Sequence, residues 1–317
     1  MTEHYTFVEN LPLRYRILPK VIDLQLPGFE SLKRYKLRSF APIPIDPNQW
    51  FNNLVHRVEA ATGKSFLPIC RMSDGEYRFV LGVQPPIPRW EFSYIIKLLK
   101  WAFSKIRPRR FLTAGGRNGD QDLYSSGRYS LHELPDIRAA YDNEMWSVAN
   151  IGILALDLSF CSTPFQEHYF EALGQWLKAV GINLTIDNYF PFYFVYALLT
   201  GPQRGRILKG RRVLIVHSAK GEKRRIIETA LQREGVREIL WHQISSTRSL
   251  FDTIKVDEFV GRVDLCIFGA GIGKPAILRQ LHQLGVPCID AGFVFETWAN
   301  QEVANGRIFT KPDTVDE

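Results

Sequence analysis

The sequence predicts an α/β protein: a Rossmann-like, doubly wound, mostly parallel sheet with helices on both faces. Three observations lead there. Short apolar runs alternate with segments of helical spacing through most of the chain. The runs are continuous rather than alternating, as in "RRVLIVHS" and "VDLCIFGAG", which is the pattern of strands covered on both faces. Glycine or proline stands at most of the joins. Parallel neighbours need a crossover connection, and the intervening helices supply it.

Residues 1–45 read differently. "LPLRYRILPKVIDLQLPGFESLKRYKLRSFAPIPIDP" is rich in proline and basic residues and lacks periodicity. It reads as an N-terminal extension that drapes over the domain or makes contacts, or as a partly disordered leader. Residues 46–310 read as one domain, with a candidate sub-boundary at 201–210.

Within that domain "NQWFNNLVHRVEAATG" has helical spacing and closes on Gly63, and "FLPICRM" is a strand. "RWEFSYIIKLLKWAFSK" is a helix, and "RFLTAGG" a short strand entering a glycine-rich loop. "DIRAAYDNEMWSVAN" is a helix, "IGILALDLSF" a strand and "TPFQEHYFEALGQWLKAVG" a helix with proline in its first turn and glycine at its end. The last third repeats the alternation. Its strands are "RRVLIVHS", "REILWHQI", "VDLCIFGAG" and "VPCIDAG"; its helices are "KRRIIETALQREG", "KPAILRQLHQLG" and "FVFETWANQEVANG".

Composition narrows the class. The chain has 317 residues, 45% hydrophobic and 23% charged, which excludes wholesale disorder and suffices for a large core. A net charge of +7 favours anionic partners: nucleotide phosphates, nucleic acid or an acidic membrane surface. Cys70, Cys161, Cys266 and Cys288 are isolated, as expected of buried thiols in a reducing cytoplasm, and no zinc pattern is present. The opening "MTEHYTFVEN" is too polar for a signal peptide. The most apolar run, "YFPFYFVYALLTG", is too short to span a bilayer. A cytoplasmic protein is expected, with peripheral membrane contact open to the basic arm.

In such sheets ligands bind beyond the carboxyl ends of the strands. The junction "RMSDGE" places Asp74 and Glu76 around Gly75. In an extended segment residues two apart share a face, so the two carboxylates converge on one hard cation, with Arg71 beside them for an anion. Ser73 to Glu76 also fits a capping box, which accounts for the same residues without a ligand. "GGRNGDQDLY" offers a rival pair, Asp120 and Asp122, inside a loop. "FGAGIGKPA" brings Gly269, Gly271 and Lys274 to a helix start suited to phosphate or ribose, or to a plain tight turn. It matches neither the dinucleotide nor the P-loop pattern. "IDAGFVFE" sets Asp290 at a strand mouth, as a general base, a partner to a metal or an ordinary cap.

"ICRMSDGEYRFVLG" resembles the signature of the GT-D-fold glycosyltransferases, an arginine followed by Asp-Gly-Glu after an early strand. "VDLCIFGAGIGKPAILRQLHQLGVPCIDAG" resembles their closing strand–helix–strand unit, and "GRRVLIVHS" their middle strand. The resemblance implies that Asp74 and Glu76 serve a Mn²⁺ or Mg²⁺ ion and the diphosphate of a nucleotide sugar, with UDP the expected nucleotide. Arg71, Gly75, Gly269, Gly271, Lys274 and Gly292 would line the cofactor cleft. Asp290 and Glu296 would be the catalytic candidates, with Asp187 and His217 as further bases. The chain departs from the family at Met72-Ser73 and at Phe293, where the family often has histidine.

The expected activity is transfer of a sugar to a hydroxyl on a glycan, glycoprotein or lipid-linked acceptor, by a monomer or an oligomer. The aromatic "DNYFPFYF" offers a sugar platform or a piece of core. The alternative is a non-catalytic nucleotide- or nucleic-acid-binding α/β protein, for which "RGRILKGRR" and "GEKRR" supply charge but no nucleic-acid motif is present. No nucleic-acid partner is expected under the first reading.

Overall fold

A computed structural model describes residues 20–22, 37–39, 47–72, 76, 79–80, 134–156, 167–185 and 187–299. Its centre is a seven-stranded, wholly parallel sheet. Two short strands of the N-terminal extension, β1 (Lys20–Ile22) and β2 (Leu37–Ser39), pair antiparallel in a separate ribbon.

Helix α1 (Pro47–Ala61) buries Trp50, Phe51, Leu54, Val55 and Val58, the spacing of one helical face. β3 (Leu67–Met72) follows, and every residue of it is buried, as a strand covered on both faces requires. α2 (Leu134–Ile151) buries Ile137, Tyr141, Met145 and Val148 at spacings of three and four, and leads to β4 (Ile153–Leu156). α3 (Glu167–Val180) ends before Gly181, whose φ of 77° terminates it.

β5 (Tyr189–Pro191) and α4 (Phe192–Thr200) come from the most apolar run in the sequence, which splits into a strand and a buried helix. α5 (Arg204–Leu208) then leads to β6 (Arg212–His217), α6 (Gly221–Arg233) and β7 (Glu238–Gln243). β8 (Leu265–Gly269), α7 (Lys274–Leu281), β9 (Pro287–Asp290) and α8 (Val294–Ala299) close the described chain.

The sheet order is β5-β4-β3-β9-β8-β6-β7. The chain therefore builds one half outward from β3, crosses over to β6, adds β7 outside it, and returns inward through β8 so that β9 lies beside β3. Strands from both sides of residues 201–210 share this one sheet. Between β6 and β8 the following connections diverge, outward to β7 and inward to β9, which makes the carboxyl ends of these strands a topological switch point. Among the described residues no helix is long and apolar enough to cross a membrane. The helix expected at 89–105, the strand at 110–116, Asp120, Asp122 and Cys161 lie outside the described residues. Cys70, Cys266 and Cys288 are buried free thiols.

Candidate functional site

The central strands β3 and β9 end in Arg71-Met72 and Asp290, and α7 begins at Lys274. The sheet order brings these distant segments to one point, and Glu76 joins them from the helical segment after β3. All four charged side chains are buried: Asp290 is 0% exposed, Arg71 and Lys274 3% and Glu76 9%. Two cations face two anions, so the cluster is electrically balanced, the condition under which buried charge is tolerated.

Lys274 is its hub. Its ammonium donates to Glu76 Oε1 at 2.7 Å, to Asp290 Oδ2 at 2.8 Å and to the Arg71 carbonyl oxygen at 2.7 Å. An ammonium has three N–H donors, and these acceptors use them all. Lys274 therefore has no donor left for a diphosphate, and its part in the site is to hold the end of β3, the acidic segment and β9 together. Burial depresses the Lys274 pKa, but Asp290 and Glu76 outweigh it, so the net shift is upward and the group stays charged.

Asp290 accepts from the Arg71 backbone N–H at 3.2 Å as well as from Lys274, and its Oδ1 lies 3.4 Å from Arg71 Nη2. Burial pushes its carboxyl up, but Lys274 and Arg71 more than offset that and hold it below the usual carboxylate range. A carboxylate gripped by two cations is a weak proton acceptor. The arrangement suits Asp290 to fixing Arg71 and Lys274 rather than to general-base work.

Arg71 lies under two aromatic rings of α4, with its guanidinium carbon 4.7 Å from the Phe192 centroid and 5.0 Å from that of Tyr196. Burial lowers its pKa, but Asp290, Tyr196 and Glu76 more than offset this and the net shift is upward, leaving it firmly cationic. Among the described residues its Nε and Nη1 are buried without hydrogen-bond partners, as is the Tyr141 hydroxyl. Burial pushes the Tyr141 and Cys70 groups well up, so both are neutral beside the cluster.

Gly292 is required by this geometry. Its φ is 43°, and a Cβ there would stand 1.5 Å from Arg71 Nη2. Gly269 ends β8 opposite His217, and a Cβ there would lie 2.9 Å from Phe295 Cδ2 and 3.0 Å from His217 Cδ2. Gly271 opens a single 3₁₀ turn, Gly271–Gly273, before α7, with Pro275 in the helix's first turn.

The remaining candidates divide by position. Glu296, on α8, pairs with Lys223 of α6. His217 ends β6 at the same edge of the sheet. Asp187 precedes β5 and so lies at the opposite, amino edge. Asp74 and Gly75 lie outside the described residues, as does the Ser73 of the capping-box reading. The aromatic run resolves as core whose Phe192 and Tyr196 rings also pack against one side of Arg71, a role its composition did not disclose. Tyr141 carried no signal in sequence beyond its place on the buried face of a helix.

Fold and site together define an open parallel α/β protein with a buried, balanced charge cluster at the carboxyl ends of its central strands. No known protein family, curated protein or solved structure matches the chain. Among the described residues no group of three His, Cys, Asp or Glu side chains is arranged to hold a metal ion.

Proposed function

We propose that the chain is a metal-dependent glycosyltransferase that uses a nucleotide-diphosphate sugar, with a uridine nucleotide the first to test. One observation carries the reading. The three polar junctions that bear the GT-D resemblance lie far apart in sequence, yet meet on the Lys274 ammonium through Glu76, Arg71 and Asp290. Glu76, the last residue of the Asp-Gly-Glu motif, is thereby anchored at the edge of the sheet where ligands bind.

In this reading Asp74 carries the Mn²⁺ or Mg²⁺ ion. Such ions are commonly held by one or two carboxylates, with water and substrate phosphate completing the shell, so a three-residue protein cluster is not needed. Glu76, already neutralised by Lys274, mainly fixes the segment that presents Asp74. The ion would offset the charge that builds on the departing diphosphate. The acceptor hydroxyl attacks the anomeric carbon, the bond from that carbon to the diphosphate oxygen breaks, and the acceptor's proton passes to a carboxylate. Glu296 is the candidate for it, since Asp290 is held by two cations.

Thermal-shift titration with UDP-sugars, with and without Mn²⁺, tests the reading. A sugar nucleotide should raise the melting temperature only with the metal, and Asp74→Asn should abolish the metal-dependent part while leaving the unliganded melting temperature within a degree or two. Equal stabilisation of both proteins, or of neither, removes the proposal and leaves the cluster as a structural lock.

A further inference from the structure

Every connection that leads into a strand of a parallel sheet arrives at one edge, the amino edge, opposite the charge cluster. Four of these arrivals, into β3, β6, β7 and β8, are basic. They bring Lys64, Lys209, Arg211, Arg233, Arg237 and Arg262 to that edge. Arg211 is half-buried and the other five are exposed.

Backbone bonds tie the four arrivals together. The Gly210 N–H donates to the Gly235 carbonyl at 2.8 Å and the Arg237 N–H to the Arg211 carbonyl at 2.9 Å. The Gly63 N–H donates to the Asp264 carbonyl at 2.9 Å, and the Asp264 N–H to the Arg212 carbonyl at 2.8 Å. The basic residues therefore share one continuous surface. The acids of the same segments are already engaged, Glu234 by Arg204 at 2.6 Å and Asp264 by Arg212 at 2.8 Å. Among the described residues none of the six basic side chains is within ion-pair distance of an acid.

Charge alone suits any polyanion, and the apolar residues of the edge narrow the class. Of the five large apolar side chains exposed among the described residues, three are here: Trp146 at 50%, Ile151 at 52% and Val260 at 46%. Ile151 ends α2 just before β4. The Trp146 Nε1 would stand 3.7 Å from a Cβ on Gly181, which separates α3 from β5 at the same edge. Val260 adjoins Gly261, whose carbonyl accepts from Arg212 Nη1 at 3.2 Å at the start of β6. A sugar–phosphate chain offers an isoleucine or a valine nothing to bury against. The headgroup layer of a bilayer does, and tryptophan favours that depth.

We propose that the amino edge of the sheet is a docking surface for an anionic lipid bilayer. The basic side chains meet the lipid phosphates and carboxylates, and Trp146, Ile151 and Val260 enter the headgroup layer. Docking in this way turns the carboxyl edge, with Lys274 and its partners, away from the lipid. The proposal does not depend on sugar transfer.

Co-sedimentation of the full chain with vesicles tests it. Phosphatidylserine added to phosphatidylcholine vesicles should strengthen binding at least tenfold, and raised salt should reverse the gain. A basic side chain near such a surface is worth about fivefold. Lys209→Glu with Arg237→Glu should therefore weaken binding at least twentyfold. Lys220→Glu with Arg225→Glu removes the same charge from exposed positions at the opposite end of α6, and should weaken it no more than threefold. All four positions are exposed, so both proteins should melt as wild type does. Trp146→Ser should weaken binding at least threefold and leave its salt dependence in place. Wild-type binding that ignores phosphatidylserine, an equal loss in the two double variants, no loss in Lys209→Glu with Arg237→Glu, or no effect of Trp146→Ser each overturns the proposal. Tighter binding to a DNA or RNA duplex than to the phosphatidylserine vesicles, lost in the first double variant, also overturns it and assigns the surface to nucleic acid.

Discussion

Replacing Lys274 by Met removes the ammonium that satisfies Glu76, Asp290 and the Arg71 carbonyl, while keeping the side chain's length. The consequence follows from burial. Asp290 and Arg71 are 0% and 3% exposed, so the stranded charge has no water to turn to. Removing one partner of a buried pair costs about 3–5 kcal/mol. An unpaired buried carbonyl adds about 1–3 kcal/mol. The terms overlap, because protonating one carboxylate relieves part of both, and about 4 kcal/mol is the expected total. With a urea m-value of about 3 kcal/mol/M, the unfolding midpoint at pH 7 should fall by roughly 1.3 M with little change in slope. The pH dependence has a definite sign. In wild type the folded Asp290 pKa is depressed, so its contribution is present above its unfolded value near 4 and is lost as pH falls through the folded one. In the variant, burial dominates and raises the folded pKa. The penalty is then full at pH 7 and shrinks as pH falls toward 4. Adding Glu76→Gln to Lys274→Met should restore part of the midpoint. A loss below about 1 kcal/mol, or one that does not vary with pH, would refute the picture of a buried hub and place Lys274 with ordinary surface pairs.

Four further outcomes follow from the structure. Gly292→Ala should cost about 2–4 kcal/mol, because φ is 43° and the new methyl would meet Arg71. Gly210→Ala has a similar φ of 74° but open space, and should cost only about 1 kcal/mol by the same urea titration. His217 lies at about 4 folded against about 6.5 unfolded, so the folded state binds fewer protons between those values and stability should fall as pH drops through them. The full loss is about 3 kcal/mol, and His217→Phe should flatten the urea midpoint between pH 6.5 and 4. Asp264 accepts the Arg212 backbone N–H at 2.8 Å and pairs with its guanidinium at 2.8 Å. Asp264→Ala should therefore cost about 1–2 kcal/mol, read as a lower melting temperature.

Much of the fold was legible because parallel strands buried on both faces write themselves as unbroken apolar runs. "RVLIVH", "LCIFG" and "PCID" are β6, β8 and β9 within a residue or two of their expected ends. The run from Tyr189 was harder, since a short apolar stretch has no period to separate strand from helix. It turned out to be both, divided at Pro191-Phe192. The site was legible as a set of junctions but not as a network. Sequence put Arg71, Glu76, Lys274 and Asp290 at strand ends, yet only the order of β3, β9 and β8 tells which ends are neighbours. For that reason Lys274 and Gly292 read as ligand contacts in sequence, while in space one is spent on three internal acceptors and the other makes room for a guanidinium. The pair of aromatic rings against Arg71 comes from α4, more than a hundred residues away, and no local pattern encodes it.

The central claim is that the cluster anchors an acidic segment so that Asp74 can hold a divalent ion with a nucleotide diphosphate. Crystals grown with UDP and Mn²⁺, measured at the manganese absorption edge, address it directly. The account predicts one anomalous peak within bonding distance of the Asp74 carboxylate and of the diphosphate, with Lys274 still bound to Glu76 and Asp290. Manganese at another place, or a nucleotide bound with no metal at Asp74, would contradict it.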